Sequence, residues 1–358
     1  MARKAISLVF VLLSYLATIT AQQNPTLKVM TQNMDAGTDL GYALFGLQQP
    51  DPRPYIDLTL AEVDASGIPH RASILAAEIA IEKPHLVALQ EATLWRTGST
   101  PATATTVRYD QLQLLMTALG ELGASYKVLA VNTLTDIVAP TTESGPGILR
   151  FTDRDVLLAR SDLSPSDFQV SDIQDHVYQA SLNFGQFTVK RGFITALGRV
   201  NNRVFRIAAT HLENKYPGVD VAAVIQRMQA SELMNFMRNS PKPVILAGDY
   251  NADAIQGASG PGPDNTDTVL FIEAGGYADS WAAANGADPG PTWPLFLEDN
   301  TTPPIPPFFV NATPFERIDL IFSQGAQVGS SIQIGAGQTT PNSASDHVGV
   351  MATFQLVN

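Results

Sequence analysis

A strand-like segment that ends in reactive side chains stands at residues 244–251 and reads Val-Ile-Leu-Ala-Gly-Asp-Tyr-Asn. Its apolar first half, Val244–Ala247, is typical of a buried strand. Asp249 and Asn251 follow directly, so they should project from the C-terminal end of that strand, where polar groups can converge on a cleft. Gly248 leaves room for another stretch of backbone to come close. The segment therefore predicts one wall of a reaction site.

Five further segments place polar side chains within or at the ends of strand-like stretches. In chain order they are Met30-Thr31-Gln32-Asn33, Val87-Ala88-Leu89-Gln90-Glu91, Ala209-Thr210-His211-Leu212, Arg317-Ile318-Asp319-Leu320-Ile321-Phe322 and Ser345-Asp346-His347. A phosphodiester resists water because its anionic oxygens repel nucleophiles and its alkoxide leaves poorly, and a divalent cation counters the charge that develops. Carboxylates, amides and imidazoles in this pattern are suited to metal-assisted attack on phosphorus.

Taken together, the six segments resemble the endonuclease/exonuclease/phosphatase superfamily, which includes exonuclease III, pancreatic deoxyribonuclease, neutral sphingomyelinases and inositol polyphosphate 5-phosphatases. The resemblance runs from about Leu27 to Phe354, and the segments occur in the order of the family and end in Ser-Asp-His. It implies an α/β fold with four layers, in which two mixed β-sheets pack face to face with helices on the outside.

The same resemblance implies a metal region. The matching Glu in the family binds the metal, so Glu91 is the expected ligand, with Asn33 contributing to the same region and Asp346 as a second ligand or an outer group. Hard oxygen donors suit Mg²⁺ or Mn²⁺. Asp35 has an equivalent carboxylate in some relatives, and a turn role is its alternative.

The catalytic roles that the resemblance implies fall on five residues. Asp249 would orient and deprotonate the attacking water, and Asn251 would hold the nucleophile or the phosphate. His347 would donate a hydrogen bond to a non-bridging phosphate oxygen while Asp319 orients its imidazole. His211 would either protonate the leaving oxygen or bind the phosphate, because relatives differ.

Two arginines are further candidates for phosphate contacts. Arg154 lies in Asp153-Arg154-Asp155, and Arg191 lies in Lys190-Arg191-Gly192-Phe193. A solvated or salt-bridged arginine is the alternative for each.

The apolar periodicity predicts helices over 71–83, 111–122 and 221–238. It predicts strands at Lys28–Gln32, Leu86–Leu89, Tyr126–Val131, Asp155–Ala159, Phe193–Val200, Val204–Thr210, Val244–Ala247, Ile318–Phe322 and Val348–Leu356. Asn201-Asn202 between two of them is typical of a hairpin turn. Hairpins mixed with helix-connected strands favour two packed sheets with helices outside.

The chain has 358 residues, of which 45% are hydrophobic and 16% charged, enough to bury a large core. Arg3 and Lys4 precede an apolar run at 5–19 that is short for a membrane span, so we expect a signal peptide over 1–21 and one domain over 22–358. The expected location is secreted or periplasmic, with a retained anchor as the alternative. The absence of cysteine excludes a cysteine nucleophile and cysteine zinc ligands.

The net charge is −12, and loss of residues 1–21, which hold two basic and no acidic residues, would leave −14. A net-negative body repels a polyanion at long range, which disfavours nucleic acid as a partner, although a local basic patch could still exist.

We expect a monomeric phosphodiesterase that hydrolyses a phospholipid or small phosphodiester by in-line attack of water. An extracellular endonuclease is one alternative, and a non-catalytic binding module on the same fold is another. Peripheral membrane contact would use an aromatic hairpin formed by Trp293–Phe296 and Pro306–Phe309. The other interpretation is that these aromatic residues pack over the core.

Overall fold

The computed structural model describes residues 24–142, 147–215, 219–255, 266–298 and 309–357. The expected signal peptide, residues 1–21, lies outside the described residues, and so do residues 306–308 of the expected aromatic hairpin. Within the described ranges, no helix is both long enough and apolar enough to cross a membrane.

Helices and strands alternate irregularly along the chain. The helices are α1 (Gly41–Gly46), α2 (Arg53–Ala65), α3 (Ile68–Glu82), α4 (Gln111–Glu121), α5 (Val221–Met237), α6 (Thr266–Ala274) and α7 (Ser280–Asn285). The first nine strands are β1 (Thr26–Asn33), β2 (Leu86–Gln90), β3 (Leu94–Gly98), β4 (Thr106–Asp110), β5 (Tyr126–Thr141), β6 (Gly147–Arg160), β7 (Phe168–Val177), β8 (Leu182–Asn183) and β9 (Thr188–Val189). The others are β10 (Gly192–Val200), β11 (Arg203–His211), β12 (Val244–Asp249), β13 (Ala278–Asp279), β14 (Phe296–Glu298), β15 (Phe309–Asn311), β16 (Asp319–Gln324), β17 (Gln327–Ile334) and β18 (Gly349–Gln355).

Two large mixed sheets contain most of the strands. The first sheet has eight strands and runs in the order β17-β18-β1-β2-β6-β3-β4, with β5 paired to β6. The second has six strands in the order β13-β16-β12-β11-β10-β7. β1 and β2 are parallel, and so are β11 and β12. Their neighbours β18 and β16 run antiparallel to β1 and β12.

The central strands are apolar on both faces because each sheet is covered on both sides. Along β2, Leu86 and Ala88 face the second sheet, whereas Val87 and Leu89 face outward, as the two-residue period of a strand requires. The core between the sheets joins Leu27, Val29, Leu157, Ile194, Phe205, Ile207, Ile245 and Ile321.

Helices form the two outer layers. α3 and α4 pack on the first sheet through Leu75, Ile79, Leu115 and Leu119. α5 and α6 pack on the second sheet through Leu233, Met237 and Ile272. The fold is therefore the expected four-layer sandwich, and the three expected helices are confirmed as α3, α4 and α5.

Two strands extend well beyond their expected limits. The patterns predicted Tyr126–Val131 and Asp155–Ala159, whereas β5 and β6 run over 16 and 14 residues and pair along their whole length. Polar and exposed residues interrupt the apolar pattern in the outer part of β5, so periodicity could not predict it. The turn at Asn201 between β10 and β11 is confirmed, with φ of 49°.

The aromatic segment forms a small hairpin, in which β14 pairs with β15. Leu295 and Phe296 are buried against Val348, with Phe309 packed beside them. For these residues the interpretation as packing over the core is the one that the structure supports.

Gly248 sits where β12 pairs with β11, opposite Thr210. A Cβ atom at this position would lie 2.0 Å from the backbone oxygen of Thr210. Only glycine permits this approach, and it sets the position of the next residue, Asp249.

Candidate active site

The ends of central strands meet at one edge of the sandwich. β1 ends at Asn33, β2 is followed by Glu91, β11 ends at His211 and β12 ends at Asp249. Parallel partners end at the same edge, so His211 lies opposite Asp249 in register. The antiparallel neighbours begin there: β16 starts with Asp319, opposite Asp249, and β18 follows His347. The structure thus brings together all the residues that the sequence singled out for metal binding and catalysis.

A cavity of about 470 Å³ opens at this edge. Glu91, Asp249, Asn251, Asp346 and His347 all line it. Seven non-glycine residues among those described have φ in the left-handed region, and four of them line this cavity: Asp35, Leu40, Glu91 and Asn251. Such backbone is costly and tends to cluster at functional sites, which supports a site here.

Asn33 connects the expected metal region to the expected base. Its side-chain nitrogen Nδ2 donates to Glu91 Oε1 at 3.1 Å and to Asp249 Oδ2 at 3.0 Å. Its oxygen Oδ1 accepts the backbone N–H of Asp35 at 2.9 Å. Asn33 therefore holds the two carboxylates beside each other, and its contribution to the metal region stays a prediction.

Glu91 and Asp346 fit a hard divalent cation. Glu91 Oε2 accepts only one backbone N–H among the described residues, that of Ala36 at 2.8 Å. Asp346 Oδ2 accepts the indole N–H of Trp293 at 3.0 Å. Burial raises the pKa of Asp346, and the nearby charge of Glu91 raises it further. A cation between two carboxylates that repel each other would relieve that cost, so the donor set fits Mg²⁺ or Mn²⁺.

The wider cluster is strongly acidic. Its carboxylates belong to Asp35, Glu91, Asp153, Asp155, Asp249, Asp319 and Asp346. The cationic side chains among them are Arg71, Arg191 and His347. This excess of negative charge attracts a divalent cation and is a second reason that one fits here.

Asp249 has the environment of a general base. It is 1% exposed, and burial, followed by the charge of Asp319, raises its pKa to about 7. Its Oδ1 accepts the backbone N–H of Asn251 at 2.8 Å. A carboxylate with a pKa near neutrality takes a proton more readily than an ordinary one.

His347 and Asp319 form a hydrogen-bonded pair, with His347 Nδ1 at 2.8 Å from Asp319 Oδ2. Burial alone would lower the pKa of His347, but the charges of Asp319 and Asp346 outweigh burial and raise it well above its ordinary value. Asp249, Asp319 and His347 also lie close enough together to hold a metal. A charged imidazole would repel a cation, so we interpret His347 as a hydrogen-bond donor to an anion.

His211 is held neutral. Arg191 Nη1 lies 2.8 Å from His211 Nδ1, and an arginine can only donate, so Nδ1 accepts and the ring hydrogen sits on Nε2. Nε2 faces Asp249 Oδ2 at 3.5 Å, which can accept that hydrogen. Asn251 Nδ2 lies 3.1 Å from Nε2 but is itself a donor, and it donates to the backbone oxygen of Leu212 at 3.1 Å. Burial and the charge of Arg191 lower the pKa of His211 well below its usual value. A neutral ring favours phosphate binding through Nε2–H over proton donation as a cationic acid, and this role stays a prediction.

The structure places the three residues whose role the sequence left open, Asp35, Arg154 and Arg191, in different surroundings. Asp35 is buried and paired with Arg71 at 2.7 Å, and burial raises its pKa to about 6 despite that partner. Arg154 pairs with Asp110 at 2.6 Å on the other face of β6, so it is a salt-bridged residue away from the cavity. Arg191 lines the cavity and is also within 3.4 Å of Asp153.

The sequence analysis did not assign two buried carboxylates to the site. Asp153 and Asp155 are two residues apart on β6 and therefore share a face, which points to the second sheet. Asp155 Oδ1 lies 3.8 Å from His211 Nδ1. Burial and the charge of Asp153 raise the pKa of Asp155 well above its usual value. The available signal was a pair of acidic residues with strand spacing directly before the apolar run 156–159.

A model of the Endonuclease/Exonuclease/phosphatase family matches residues 30–347. In sequence, no curated protein matches the chain. A solved structure of an endonuclease/exonuclease/phosphatase family protein from Leptotrichia buccalis C-1013-b is 16% identical with a TM-score of 0.56, and the match covers 92% of this chain and 99% of that one.

Two other solved structures show the same similarity. The endonuclease/exonuclease/phosphatase from Beutenbergia cavernae DSM 12333 is 21% identical with a TM-score of 0.56, over 93% of this chain and 72% of that one. D. rerio TDP2, complexed with single-strand DNA product, is 16% identical with a TM-score of 0.53, over 92% and 98%. At these identities the structures support the fold alone. The family model, which spans most of the sequence, establishes that the chain belongs to the Endonuclease/Exonuclease/phosphatase family.

Proposed function

We propose that this chain is an exported, Mg²⁺- or Mn²⁺-dependent phosphodiesterase that acts as a monomer on a phospholipid or a small organic phosphodiester. Family membership supports the reaction class, because members are generally metal-dependent phosphodiester hydrolases. The observation that carries the proposal is the double hydrogen bond of Asn33, which holds the carboxylate suited to a cation, Glu91, beside the carboxylate suited to a base, Asp249.

The reaction would consume one water. The water oxygen attacks phosphorus as Asp249 takes its proton, and the bond between phosphorus and the leaving oxygen breaks on the opposite side. The charged imidazole of His347 and the Nε2–H of His211 donate to non-bridging phosphate oxygens as charge develops there. A divalent cation at Glu91 and Asp346, when bound, supplies further neutralisation of that charge. The leaving alcohol takes a proton from solvent.

The charge of the cavity supports a small or lipid diester over a nucleic acid. The lining residues with positive charge are Arg191, Lys215 and His347. Arg191 already contacts Asp153 and His211, and Lys215 lies 3.5 Å from Glu316. A polyanion needs many cationic contacts to bind at physiological salt. Few remain to supply them, and the chain as a whole is acidic.

A nucleic-acid substrate is the competing hypothesis, since D. rerio TDP2 has the same fold and its structure contains a single-strand DNA product. The deciding experiment offers purified protein with Mg²⁺ four substrates at about 0.15 M salt: bis-p-nitrophenyl phosphate, sphingomyelin, inositol phosphates and plasmid DNA. We expect kcat/KM for the lipid or the small diester to exceed that for duplex DNA. Efficient plasmid degradation without turnover of the others would establish a nuclease instead.

A further inference from the structure

One side of the cavity is made of hydrocarbon. We define the apolar wall as Leu40, Leu44, Ile137, Phe151, Phe184 and Phe187, all of which line the cavity. None of these side chains carries a hydrogen-bonding group. The wall is distinct from the carboxylates and imidazoles that the reaction would use, and no step of the proposed hydrolysis requires it.

Three members of the wall, Leu40, Ile137 and Phe151, lie on the first sheet or pack against it. Ile137 on β5 and Phe151 on β6 are direct cross-strand partners. Leu40, which precedes α1, packs against the apolar cluster that contains Phe151. Leu40 has φ of 62°, and the hydroxyl of Thr38 accepts its backbone N–H at 3.0 Å. A leucine held in this costly conformation is consistent with a functional position.

Two further members of the wall lie in the turn of the β8–β9 hairpin, and Leu44 lies on α1. Phe184 and Phe187 stack with ring centroids 5.2 Å apart. Gln186 at the hairpin turn donates to the backbone oxygen of Leu47, just after α1, at 3.0 Å. At the other end, Thr135 on β5 accepts the backbone N–H of Lys190 at 2.9 Å. These two bonds fasten the hairpin to both neighbouring segments, so the wall is continuous.

The wall adjoins the reacting groups. Phe151 and Asp153 are two residues apart on β6 and share a face, and both line the cavity. Leu40 lies five residues beyond Asp35, which also lines it. The wall, Asp249 and His347 line the same cavity, so a phosphate placed between Asp249 and His347 would have its substituents in the space that the wall bounds.

We propose that the apolar wall binds the uncharged, apolar alcohol group of the phosphodiester, and that it selects diesters with an alkyl substituent over diesters with a polar one. The proposal rests on the proposed phosphodiesterase function and adds the part of the substrate that is recognised. Transfer of hydrocarbon from water to such a surface gives up to about fourfold in affinity for each buried methylene group. A nucleoside would leave its polar atoms without partners on this wall.

The test uses 4-nitrophenyl phosphodiesters that share one leaving group and differ in the second alcohol: methyl, butyl, hexyl and thymidine 5′-yl. Because 4-nitrophenolate leaves in each case, differences in kcat/KM report binding of the second group. We expect kcat/KM to rise by at least about tenfold from methyl to hexyl. The thymidine ester should fall below the hexyl ester.

A pair of variants locates the effect. Phe184→Ser removes one ring of the wall at a position that is 36% exposed, so the fold should tolerate it. This variant should lower the hexyl-to-methyl ratio. Phe45→Ser is the matched control, because Phe45 is 54% exposed on α1 and contacts Tyr55 instead of lining the cavity. The hexyl-to-methyl ratio of kcat/KM for Phe45→Ser should equal that of the unmodified protein.

Three outcomes count against the proposal. Equal kcat/KM along the alkyl series overturns the alkyl-binding role while leaving the phosphodiesterase function in place. A thymidine ester preferred over the hexyl ester assigns the wall to a nucleoside instead. Absence of hydrolysis for every diester, including the methyl ester, overturns the proposed function and this inference together.

Discussion

Arg191 donates to Nδ1 of His211 across 2.8 Å, and this contact fixes the ring hydrogen of His211 on Nε2, beside Asp249. The imidazole is thereby a neutral donor beside Asp249, which lines the cavity. His211 ends β11 and Arg191 directly precedes β10, so the contact joins two residues that are distant in sequence.

The neutral state of His211 predicts a difference between two substitutions. The amide of Gln can place an N–H near the position of Nε2, whereas Ala cannot. We expect His211→Ala to lower kcat/KM by about 10²–10³-fold, the usual cost of one lost donor to a developing oxyanion. His211→Gln should retain activity within about tenfold of the unmodified protein. Equal losses in both variants would indicate that His211 acts as a proton donor.

Asp249→Asn should reduce turnover far more than stability. The amide keeps the shape of the side chain and the hydrogen bond from the backbone N–H of Asn251. It cannot accept a proton from water, which costs about 10²–10⁴-fold in rate. Asp253→Asn is the matched control: Asp253 is also buried and accepts the backbone N–H groups of Ile255 and Arg317. That control should lower stability more than kcat. Unchanged kcat in a folded Asp249→Asn protein would exclude Asp249 as the base.

Glu62 predicts how stability depends on pH. Burial raises its pKa from 4.5 to about 7, with the hydroxyl of Thr38 as its partner at 2.6 Å. The folded protein therefore holds a proton that the unfolded chain releases, so the stabilisation is complete below about pH 4.5 and is lost as pH rises to 7. Glu62→Gln removes the ionisation. The free energy of unfolding of this variant, relative to that of the unmodified protein, should increase by at most about 3 kcal/mol from pH 5 to pH 8.

Urea unfolding in EDTA at both pH values measures this difference. Glu121→Gln serves as the control because Glu121 is exposed at the end of α4. A constant difference between Glu62→Gln and the unmodified protein across this range would show that Glu62 is ionised in the fold at pH 5.

Much of the architecture follows from the sequence, since apolar runs such as 86–89 and 244–247 are buried on both faces and could hardly be anything but central strands. Short strands such as β13 and β14 escaped, because two or three residues carry no periodic signal. Their pairing depends on neighbours that are distant in sequence.

The site was predictable where a polar residue ends a central strand, as with Asn33, Glu91 and Asp249. It was not predictable where a role depends on how strands pair or pack. The sequence offered Arg191 as a phosphate contact or as a solvated or salt-bridged residue. It could not show the bond to His211, because that bond arises from the pairing of β10 with β11. Asp155 likewise comes close to the imidazole of His211 only when β6 packs against the second sheet.

Metal dependence, measured on the unmodified protein and on Glu91→Gln, tests the central claim most directly. Hydrolysis of bis-p-nitrophenyl phosphate should stop after exhaustive chelation with EDTA and return with Mg²⁺ or Mn²⁺, without a requirement for zinc. Glu91→Gln should bind Mn²⁺ more weakly in titrations of the metal-free protein, whereas Glu78→Gln, whose carboxylate contacts Gln338 beside α3, should bind it normally. Full activity in protein that elemental analysis shows to be free of metal would contradict the account.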